Sequence, residues 1–357
     1  MRLSLPGFGS KGLVGLDIGS SCVKAVEVTR REKSGDFDLV SLGTAALPPE
    51  AIVQGAFLNA RAITDAIKEA VDRGRMRSKQ VAVAVSGHSV IVKKVSLPAM
   101  SAEELEEQIR WEAEQYIPFD VNEVNLDFQI LAHGAADGQM DVVLVAAKKD
   151  LIDDYVQVIT EAGLTPAVID VAAFAVENAF EVNYQPDADE VVALINIGAQ
   201  VANINVLAGG TPLFTRDVTT AGNHYTEEIQ KALSVSFEEA ERIKLGRAGD
   251  DQAMVPREVD AAMRGVNDTV VGEISRSLDF FAATTTDVRV QRVYLAGGGA
   301  KVAGLVDAFR QRTGLPVEIL NPLARMRASS KFEPAMLAEV GPALSVGVGL
   351  AMRRLEI

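Results

Sequence analysis

Alternating apolar residues mark the opening of the chain as β-structure. The runs Val14–Ile18 and Cys22–Val28 have the composition of strands, and the small residues Gly19-Ser20-Ser21 join them, which predicts a β-hairpin. A third strand is expected near Leu39–Ala46, and the helical spacing of apolar residues in Leu58–Arg73 predicts a helix. The chain therefore begins β-β-β-α.

The next apolar runs predict an inserted α/β subdomain. A Ser-x-x-Glu capping box at Ser101 opens its first helix, and Pro118 is expected to stop that helix. The subdomain is predicted to begin with two strands, Val81–Ser86 and Val90–Val95, followed by the capped helix over Ser101–Pro118. Two more strands, Asn125–Leu131 and Met140–Ala147, and a second helix from Asp150 complete it.

The opening pattern recurs half a chain later. Val191–Ile197 and Val201–Leu207 read as strands joined by the turn Gly198-Ala199-Gln200. A second capping box at Ser236 predicts another helix. A long amphipathic helix follows, with a core-facing stripe formed by Val259, Met263, Val266, Val270, Ile274, Leu278 and Phe281. The strand Gln291–Leu295, a glycine run, a helix through Arg312 and a C-terminal helix over Ala343–Leu355 are expected to complete the chain.

Two matching hairpins indicate a duplicated domain. Asp17 in the first hairpin aligns with Asn196 in the second, and the two turns are expected to face each other across a cleft. A single hairpin of this kind would be read as an ordinary structural turn. The predicted boundaries are 10–80 with 166–188 and 338–357 for the first domain, 81–165 for the insert, 189–222 with 286–337 for the second domain, and 223–285 for a helix-rich subdomain.

The hairpin turns have the chemistry of a phosphate site. Glycine lets the backbone approach a ligand closely, and consecutive N–H groups in a tight turn bind anions. Asp17, at the end of a buried strand, needs a partner for its charge, and hydrated Mg²⁺ is a candidate. Lys24 either lies beside it or is solvated at the surface. The run Gly297-Gly298-Gly299 is a third place where the backbone could contact a ligand, in this case an adenosine at a helix N-terminus. The alternative is that the run is an ordinary loop.

Composition narrows the classes of function. The 357 residues are 48% hydrophobic and 24% charged, as in soluble globular proteins, and the length predicts several domains. A net charge of −14 argues against nucleic-acid binding. The single Cys22 excludes an intrachain disulfide, and His88, His133 and His224 lack metal-ligand spacing. No leader is expected, and no window is expected to reach the ~18 apolar residues of a membrane span, so a cytoplasmic protein is predicted.

The two hairpins and the glycine run, in this order, resemble the actin, Hsp70 and sugar-kinase superfamily. The resemblance implies an actin-like fold of duplicated ribonuclease-H-like domains that enclose ATP or ADP with Mg²⁺. It implies that Asp17 faces the metal. The cofactor-binding residues it implies are Asp17, Gly19, Ser20, Ser21, Lys24, Asn196, Gly198, Ala199, Gln200, Glu241, Lys244, Gly297, Gly298 and Gly299.

The position of the insert resembles the bacterial branch that contains the FtsA and PilM families. The PilM family of type IV pilus proteins is the closer likeness, on the first hairpin and on Tyr116-Ile117-Pro118-Phe119, Ala146-Ala147-Lys148-Lys149, Ile195-Asn196-Ile197-Gly198-Ala199 and Glu241-Arg242-Ile243-Lys244. The resemblance implies a platform protein, at the inner membrane through its partners, that binds the cytoplasmic tail of PilN. It implies an indirect link to PilO, contact with the pilus motor ATPase and platform protein, and possible assembly into a ring.

Two departures from the superfamily pattern concern hydrolysis. Asn196 replaces an acidic residue in the second hairpin and brings no charge to a metal. Ala172 stands where a Glu or Gln that orients water is expected. Loss of such help usually costs ~10²- to 10⁴-fold in rate. We therefore expect nucleotide binding with very slow or absent hydrolysis.

Several alternatives remain open from the sequence. Glu241 and Lys244 could be a solvent-exposed ion pair rather than nucleotide contacts. Trp111 lies off the apolar face of its helix, so it either packs on a neighbouring subdomain or forms a partner surface. An FtsA-like division protein would be expected to carry a C-terminal amphipathic membrane helix. A small-molecule kinase would need a catalytic base in the cleft.

Overall fold

The computed structural model describes residues 12–31, 34–131, 138–246, 257–285 and 288–353. Within these residues the strands are β1 (Val14–Ile18), β2 (Cys22–Arg30), β3 (Phe37–Ala46), β4 (Ile52–Val53), β5 (Ala56–Phe57), β6 (Gln80–Val85), β7 (Val90–Pro98), β8 (Val124–Ile130), β9 (Gln139–Lys148), β10 (Thr165–Val171), β11 (Val191–Ile197), β12 (Ala202–Ala208), β13 (Thr211–Val218), β14 (Arg292–Ala296), β15 (Val317–Ile319) and β16 (Arg327–Ala328). The helices are α1 (Ala60–Gly74), α2 (Ala102–Ala113), α3 (Lys149–Glu161), α4 (Ala172–Tyr184), α5 (Gly222–Leu233), α6 (Phe237–Lys244), α7 (Arg257–Thr284), α8 (Leu305–Thr313), α9 (Pro334–Val340) and α10 (Ser345–Ala351).

Two sheets share one topology. The first has the order β10-β6-β1-β2-β3, extended by β16, and the second has the order β15-β14-β11-β12-β13. In each sheet the opening hairpin and its third strand are antiparallel, while the two later strands add in parallel on the other side. The duplication expected from the two hairpins is therefore present in the strand order as well.

The insert is smaller than the sequence analysis predicted. It consists of the antiparallel sheet β7-β9-β8 with α2, which begins at the predicted capping box: Ser101 accepts from the Glu104 N–H and Glu104 from the Ser101 N–H. The helix ends at Ala113, earlier than the predicted stop at Pro118. Assignment of Val81–Ser86 to the insert was wrong, because β6 pairs in parallel with β1 in the first sheet. The helix predicted from Asp150 also belongs to the first domain and not to the insert, since four buried side chains of α3 join the core of the first sheet.

The other large predicted helix is confirmed. All seven residues of the stripe along α7 are buried in the core of the second sheet. Each fully buried aliphatic or aromatic side chain contributes roughly 1.5–3 kcal/mol of transfer free energy. This helix therefore anchors the second domain.

The two domains share a core. Residues of both sheets, including Ala82 from the first and Val192 from the second, pack in one buried cluster with α4 and α10. Helix α4 also carries the buried Glu177, whose Oε2 accepts a hydrogen bond of 2.8 Å from Asn205 Nδ2 on β12. Burial raises the pKa of Glu177 to about 8, although the Asn205 bond opposes the shift. A carboxyl group that is largely protonated at neutral pH thus lies between the domains.

Helix α10 lies unusually close to β1. A Cβ at Gly15 would lie 2.0 Å from the Gly347 carbonyl oxygen, so this contact requires glycine. The segment Pro334–Ala351, which contains α9 and α10, is long and apolar enough to cross a membrane by length and composition, and 56% of it is buried in the fold. The expectation that no such window exists was therefore wrong. Packing of α10 against α4 and β1 accounts for the apolar character of its part of the segment.

Candidate nucleotide site

The first hairpin has the predicted geometry. Asp17 faces Lys24 and Ile18 faces Val23 in the β1–β2 register. The Gly19 N–H donates to the Cys22 carbonyl at 3.2 Å and closes the turn. The turn is held by the backbone, so the small residues Gly19-Ser20-Ser21 leave room for a ligand above it.

The second hairpin repeats this geometry position by position. Asn196 faces Asn203 and Ile197 faces Ala202, and the Gly198 N–H donates to the Val201 carbonyl at 2.9 Å. The two candidate phosphate turns therefore have the same register and the same closing hydrogen bond.

The tip of the second hairpin is bonded to the first domain through Gln200. Gln200 Oε1 accepts from the Gln54 N–H at 2.9 Å, and Gln200 Nε2 donates to the Ile52 carbonyl at 2.6 Å. The chain just before Ile52 is fixed to the first tip, because the Leu47 N–H donates to the Ser21 carbonyl at 2.9 Å. The side chain of Gln200 is thus engaged with the first domain, which leaves only its backbone for the predicted cofactor contact.

Asp17 and Lys24 form an ion pair next to the turn of the first hairpin. Lys24 Nζ lies 3.0 Å from Asp17 Oδ2, and both side chains are only 16% exposed. Burial is the largest influence and would lower the pKa of Lys24, but the attraction and hydrogen bond of Asp17 together with the effect of Cys22 outweigh it, so the pKa is raised. The alternative of a surface-solvated Lys24 is therefore wrong.

A polar network connects the second hairpin to the first domain. Asn196 Nδ2 donates to Asn203 Oδ1 at 2.9 Å, and Asn203 Nδ2 donates to Asp217 Oδ1 at 2.8 Å. The Gly87 N–H, at the end of β6, donates to Asp217 Oδ2 at 2.6 Å. Burial raises the pKa of Asp217, and these two hydrogen bonds oppose the shift.

Asp217 was missed by the sequence analysis. It lies on β13, a strand that was not predicted because Thr211–Val218 is half-exposed and lacks a clean apolar alternation. The usable signal was topological: a duplicate of β1-β2-β3 requires a third strand after β12.

Glu241 and Lys244 lie beside the second hairpin. Lys244 Nζ contacts Glu241 Oε2 at 2.6 Å and donates to Thr226 Oγ1 at 3.0 Å and to the Gly222 carbonyl at 3.3 Å. The Gly222 N–H in turn donates to the Gly198 carbonyl at 3.0 Å. The Lys244 side chain is only 9% exposed, so the alternative of a solvent-exposed ion pair is wrong for this residue.

The glycine run packs against the turn end of the second hairpin. Gly297 has φ +84°, and a Cβ there would lie 2.3 Å from the Ile197 carbonyl oxygen, while a Cβ at Gly299 would lie 2.5 Å from Ile197 Cγ2. Gly298 faces open space. The run opens a short 3₁₀ turn and α8 begins only at Leu305, so the predicted position at the N-terminus of an α-helix was wrong.

The acidic groups fit a hydrated magnesium ion better than a fully protein-bound metal. No group of three or more His, Cys, Asp or Glu side chains suited to a metal occurs in the described part of the chain. Asp17 is a single carboxylate, and Mg²⁺ in nucleotide sites is commonly held by one or two carboxylates, phosphate oxygens and waters. The residues present are therefore compatible with Mg²⁺ that arrives with a nucleotide.

The start of α4 offers no free polar group for water. Ala172 is its first residue and is buried. The neighbouring Asp170 is held by Arg353, whose Nε lies 2.6 Å from Oδ2, and by the Val171 N–H, which donates to Oδ1 at 2.8 Å.

Trp111 on α2 is 73% exposed. The alternative that it packs on a neighbouring subdomain is wrong, and its indole lies at the surface.

The strand order and the paired hairpins define an actin-like fold. MreB5 of Spiroplasma citri, solved bound to AMPPNP, has the same fold at 13% identity and a TM-score of 0.51, over 96% of this chain and 95% of that one. FtsA of Bacillus subtilis is 25% identical over 283 residues, which are 71% of this chain and 62% of FtsA. The alignment thus spans less than two thirds of that relative.

The profile of the family described as type IV pilus assembly protein PilM matches residues 15–355. The solved PilM–PilN type IV pilus biogenesis complex contains a chain that is 32% identical, with a TM-score of 0.86, over 98% of this chain and all of that one. The chain belongs to the PilM family of type IV pilus assembly proteins.

Proposed function

We propose that this chain binds ATP or ADP with Mg²⁺ between its two domains. In this nucleotide-bound state it acts as an assembly component of the type IV pilus platform. The observation that carries the proposal is the pair of hairpins in identical register, the second of which is bonded to the first domain through the contacts of Gln200 with Ile52 and Gln54.

The backbone of the two turns would hold the phosphates. The N–H groups of the two turns that do not close the hairpins would donate to the phosphates, and each hydrogen bond to a charged group contributes roughly 1.5–3 kcal/mol. Lys24 supplies a positive charge, and Asp17 would face the hydrated metal. Bound Mg²⁺ would neutralise the phosphate charge. Gly298, with open space beside it, and the Glu241–Lys244 pair would contact the nucleoside.

Hydrolysis is proposed to be very slow or absent. The side chain of Ala172 has no polar atom, and Asn196 has a neutral amide that donates to Asn203. Neither side chain can act as a base toward an attacking water, and the Asp217 carboxylate is engaged by the Asn203 amide and the Gly87 N–H. The test is ATP turnover by the purified chain with Mg²⁺. Turnover at ordinary ATPase rates would refute this part of the proposal and leave nucleotide binding intact.

The partner is proposed to be the cytoplasmic N-terminal tail of PilN, bound at the insert or its junction with the first domain. The support is the membership in the PilM family and the likeness to the chain in the PilM–PilN complex. Through PilN the chain would lie on the cytoplasmic side of the inner membrane and connect indirectly to PilO, the pilus motor ATPase and the platform protein. Self-assembly into a ring is a further part of the proposal.

The deciding experiment is calorimetric titration of the chain with a synthetic tail peptide of its own PilN, in the presence and absence of Mg-ATP. Saturable one-to-one binding is expected, and a scrambled peptide serves as the control. No binding in either state would refute the assignment of the partner. An FtsA-like role would instead show as recruitment by division proteins, and a kinase as phosphoryl transfer in a substrate screen.

A further inference from the structure

A cationic recess lies at the outer edge of the first sheet, away from the hairpins. It has a volume of about 550 Å³ and is formed by β3, β16 and the C-terminal end of α1. Its charged side chains are Arg75, Arg77, Arg327, Lys331 and Asp38. Ligand pockets of small molecules commonly have volumes of about 300–1,000 Å³. The recess is thus large enough for a small organic anion.

The charges of the recess are unbalanced. Its one carboxylate, Asp38, is paired with Arg31 outside the lining at 3.1 Å. Within the described residues, no carboxylate pairs with Arg75, Arg77 or Arg327. In a chain of net charge −14, unpaired cations that converge on a concave surface create a local positive potential that attracts anions.

The backbone at Arg75 is a second observation. Arg75 caps α1 in the left-handed conformation, with φ 52° and ψ 50°, where glycine is the usual residue. Residues held in sparsely populated backbone regions cluster at functional sites. Here a residue in this left-handed position lines the recess and carries a cation, although a glycine would satisfy the cap with less strain.

The polar lining completes the chemistry. Lys331 Nζ lies 3.4 Å from the hydroxyl oxygen of the buried Ser41, so the ammonium lies against the wall formed by β3. Guanidinium groups bind phosphate oxygens in a bidentate manner, and lysine binds them as a point charge. The combination of three arginines, a positioned lysine and a hydroxyl matches a phosphate group better than a single carboxylate.

We propose that this recess is a second anion site, separate from the nucleotide cleft, that takes a phosphate-bearing ligand. The chemistry is the same for a soluble phosphorylated molecule and for the headgroup of an anionic phospholipid. The proposal is independent of nucleotide binding between the hairpins, since none of the recess residues belongs to that cleft.

The test uses two double variants of the full chain. R77A/R327A removes two charges from the recess, and R61A/K68A removes two exposed charges from the same helix α1 outside it. Inorganic pyrophosphate is titrated into the wild-type chain and into each double variant by calorimetry without Mg²⁺. We expect at least a tenfold loss of affinity in R77A/R327A and none in R61A/K68A. Equal affinity in all three proteins, or no binding at all, would overturn the proposal.

A second arm identifies the source of the phosphate. Flotation with phosphatidylglycerol vesicles, compared with phosphatidylcholine vesicles, tests the lipid headgroup. Recruitment that R77A/R327A loses and R61A/K68A keeps assigns the site to lipid, while pyrophosphate binding without recruitment assigns it to a soluble ligand. If R77A/R327A folds poorly, Arg75→Gly replaces it, because glycine keeps the left-handed cap and removes one cation. A rise in melting temperature together with weaker pyrophosphate binding is then expected.

Discussion

Lys24 Nζ lies 3.0 Å from Asp17 Oδ2, and in the second hairpin Asn203 and Asn196 occupy the same two register positions. One hairpin therefore carries an ion pair where its duplicate carries an amide pair. At these register positions the first hairpin is charged and the second is neutral.

The first prediction concerns this ion pair. Lys24→Met should weaken ATP binding at least tenfold, because it removes a cation beside the phosphate turn and leaves Asp17 largely buried without its partner. Asp17→Asn should weaken the dependence of ATP affinity on Mg²⁺ instead. Titration with a fluorescent ATP analogue, with and without Mg²⁺, measures both. Unchanged affinity in both variants would argue against a site at this hairpin.

The second prediction contrasts two adjacent glycines. Gly297→Ala should destabilise the chain by about 2 kcal/mol or more, because a Cβ at Gly297 would overlap the Ile197 carbonyl at a positive φ. Gly298→Ala has space for its methyl group and should change the free energy of unfolding little. If Gly298 contacts the nucleoside, this variant should nevertheless bind ATP more weakly. Urea denaturation and ATP titration separate the two effects.

The third prediction concerns the buried Glu177. Its pKa is raised to about 8 from the ordinary 4.5, so between these pH values the folded state holds a proton that the unfolded state has lost. Stability should therefore fall as the pH rises from 4.5 to 8, with an upper bound of about 1.4 kcal/mol for each pKa unit. Glu177→Gln keeps the acceptor for Asn205 and should lose this slope. Thermal melts across this range test it, and an identical slope in both proteins would contradict it.

The fourth prediction concerns the domain contact at Asp217. Asp217→Ala removes acceptors from the Gly87 N–H and from Asn203, and each buried donor left without a partner costs roughly 1–3 kcal/mol. Hydrogen exchange should speed up at residues 86–89 and around Asn203. Asp217→Asn retains one acceptor and should show a smaller change.

The fifth prediction uses the single tryptophan. Because Trp111 is 73% exposed, acrylamide should quench its fluorescence efficiently, and Trp111→Ala should alter the free energy of unfolding by less than about 0.5 kcal/mol. Protection from quenching on addition of the PilN peptide would identify α2 as part of the partner surface. Full quenching at saturating peptide would exclude it.

The features that the sequence predicted correctly have strong local signals. Both hairpins, the capping box at Ser101 and the stripe along α7 can be recognised from the spacing of residues over short stretches of sequence. The missed helix α4 is apolar on nearly every side because it lies between the domains, so it has no amphipathic period to detect. The β6 run Gln80–Val85 is a clear strand, but parallel pairing joins residues far apart in sequence and leaves no local sign of the partner sheet.

Part of the candidate site could also be predicted from local sequence signals. The residues in turns, such as Gly19 and Gly198, could be identified because a glycine between two strand-like runs predicts a tight turn. The engagement of Gln200 with the first domain and the link from Asn203 to Asp217 depend on how the domains approach each other. Such contacts are set by tertiary packing, which a single sequence does not display.

The close seating of α10 on β1 through Gly15 and Gly347 has a consequence for biosynthesis. The strand that leaves the ribosome early is covered by a helix that leaves it late, so the first domain to be synthesised is among the last to be finished. Until then, the face of β1 that will receive α10 stays uncovered, and we expect that truncating the chain before Ser345 yields aggregation rather than a shorter folded protein.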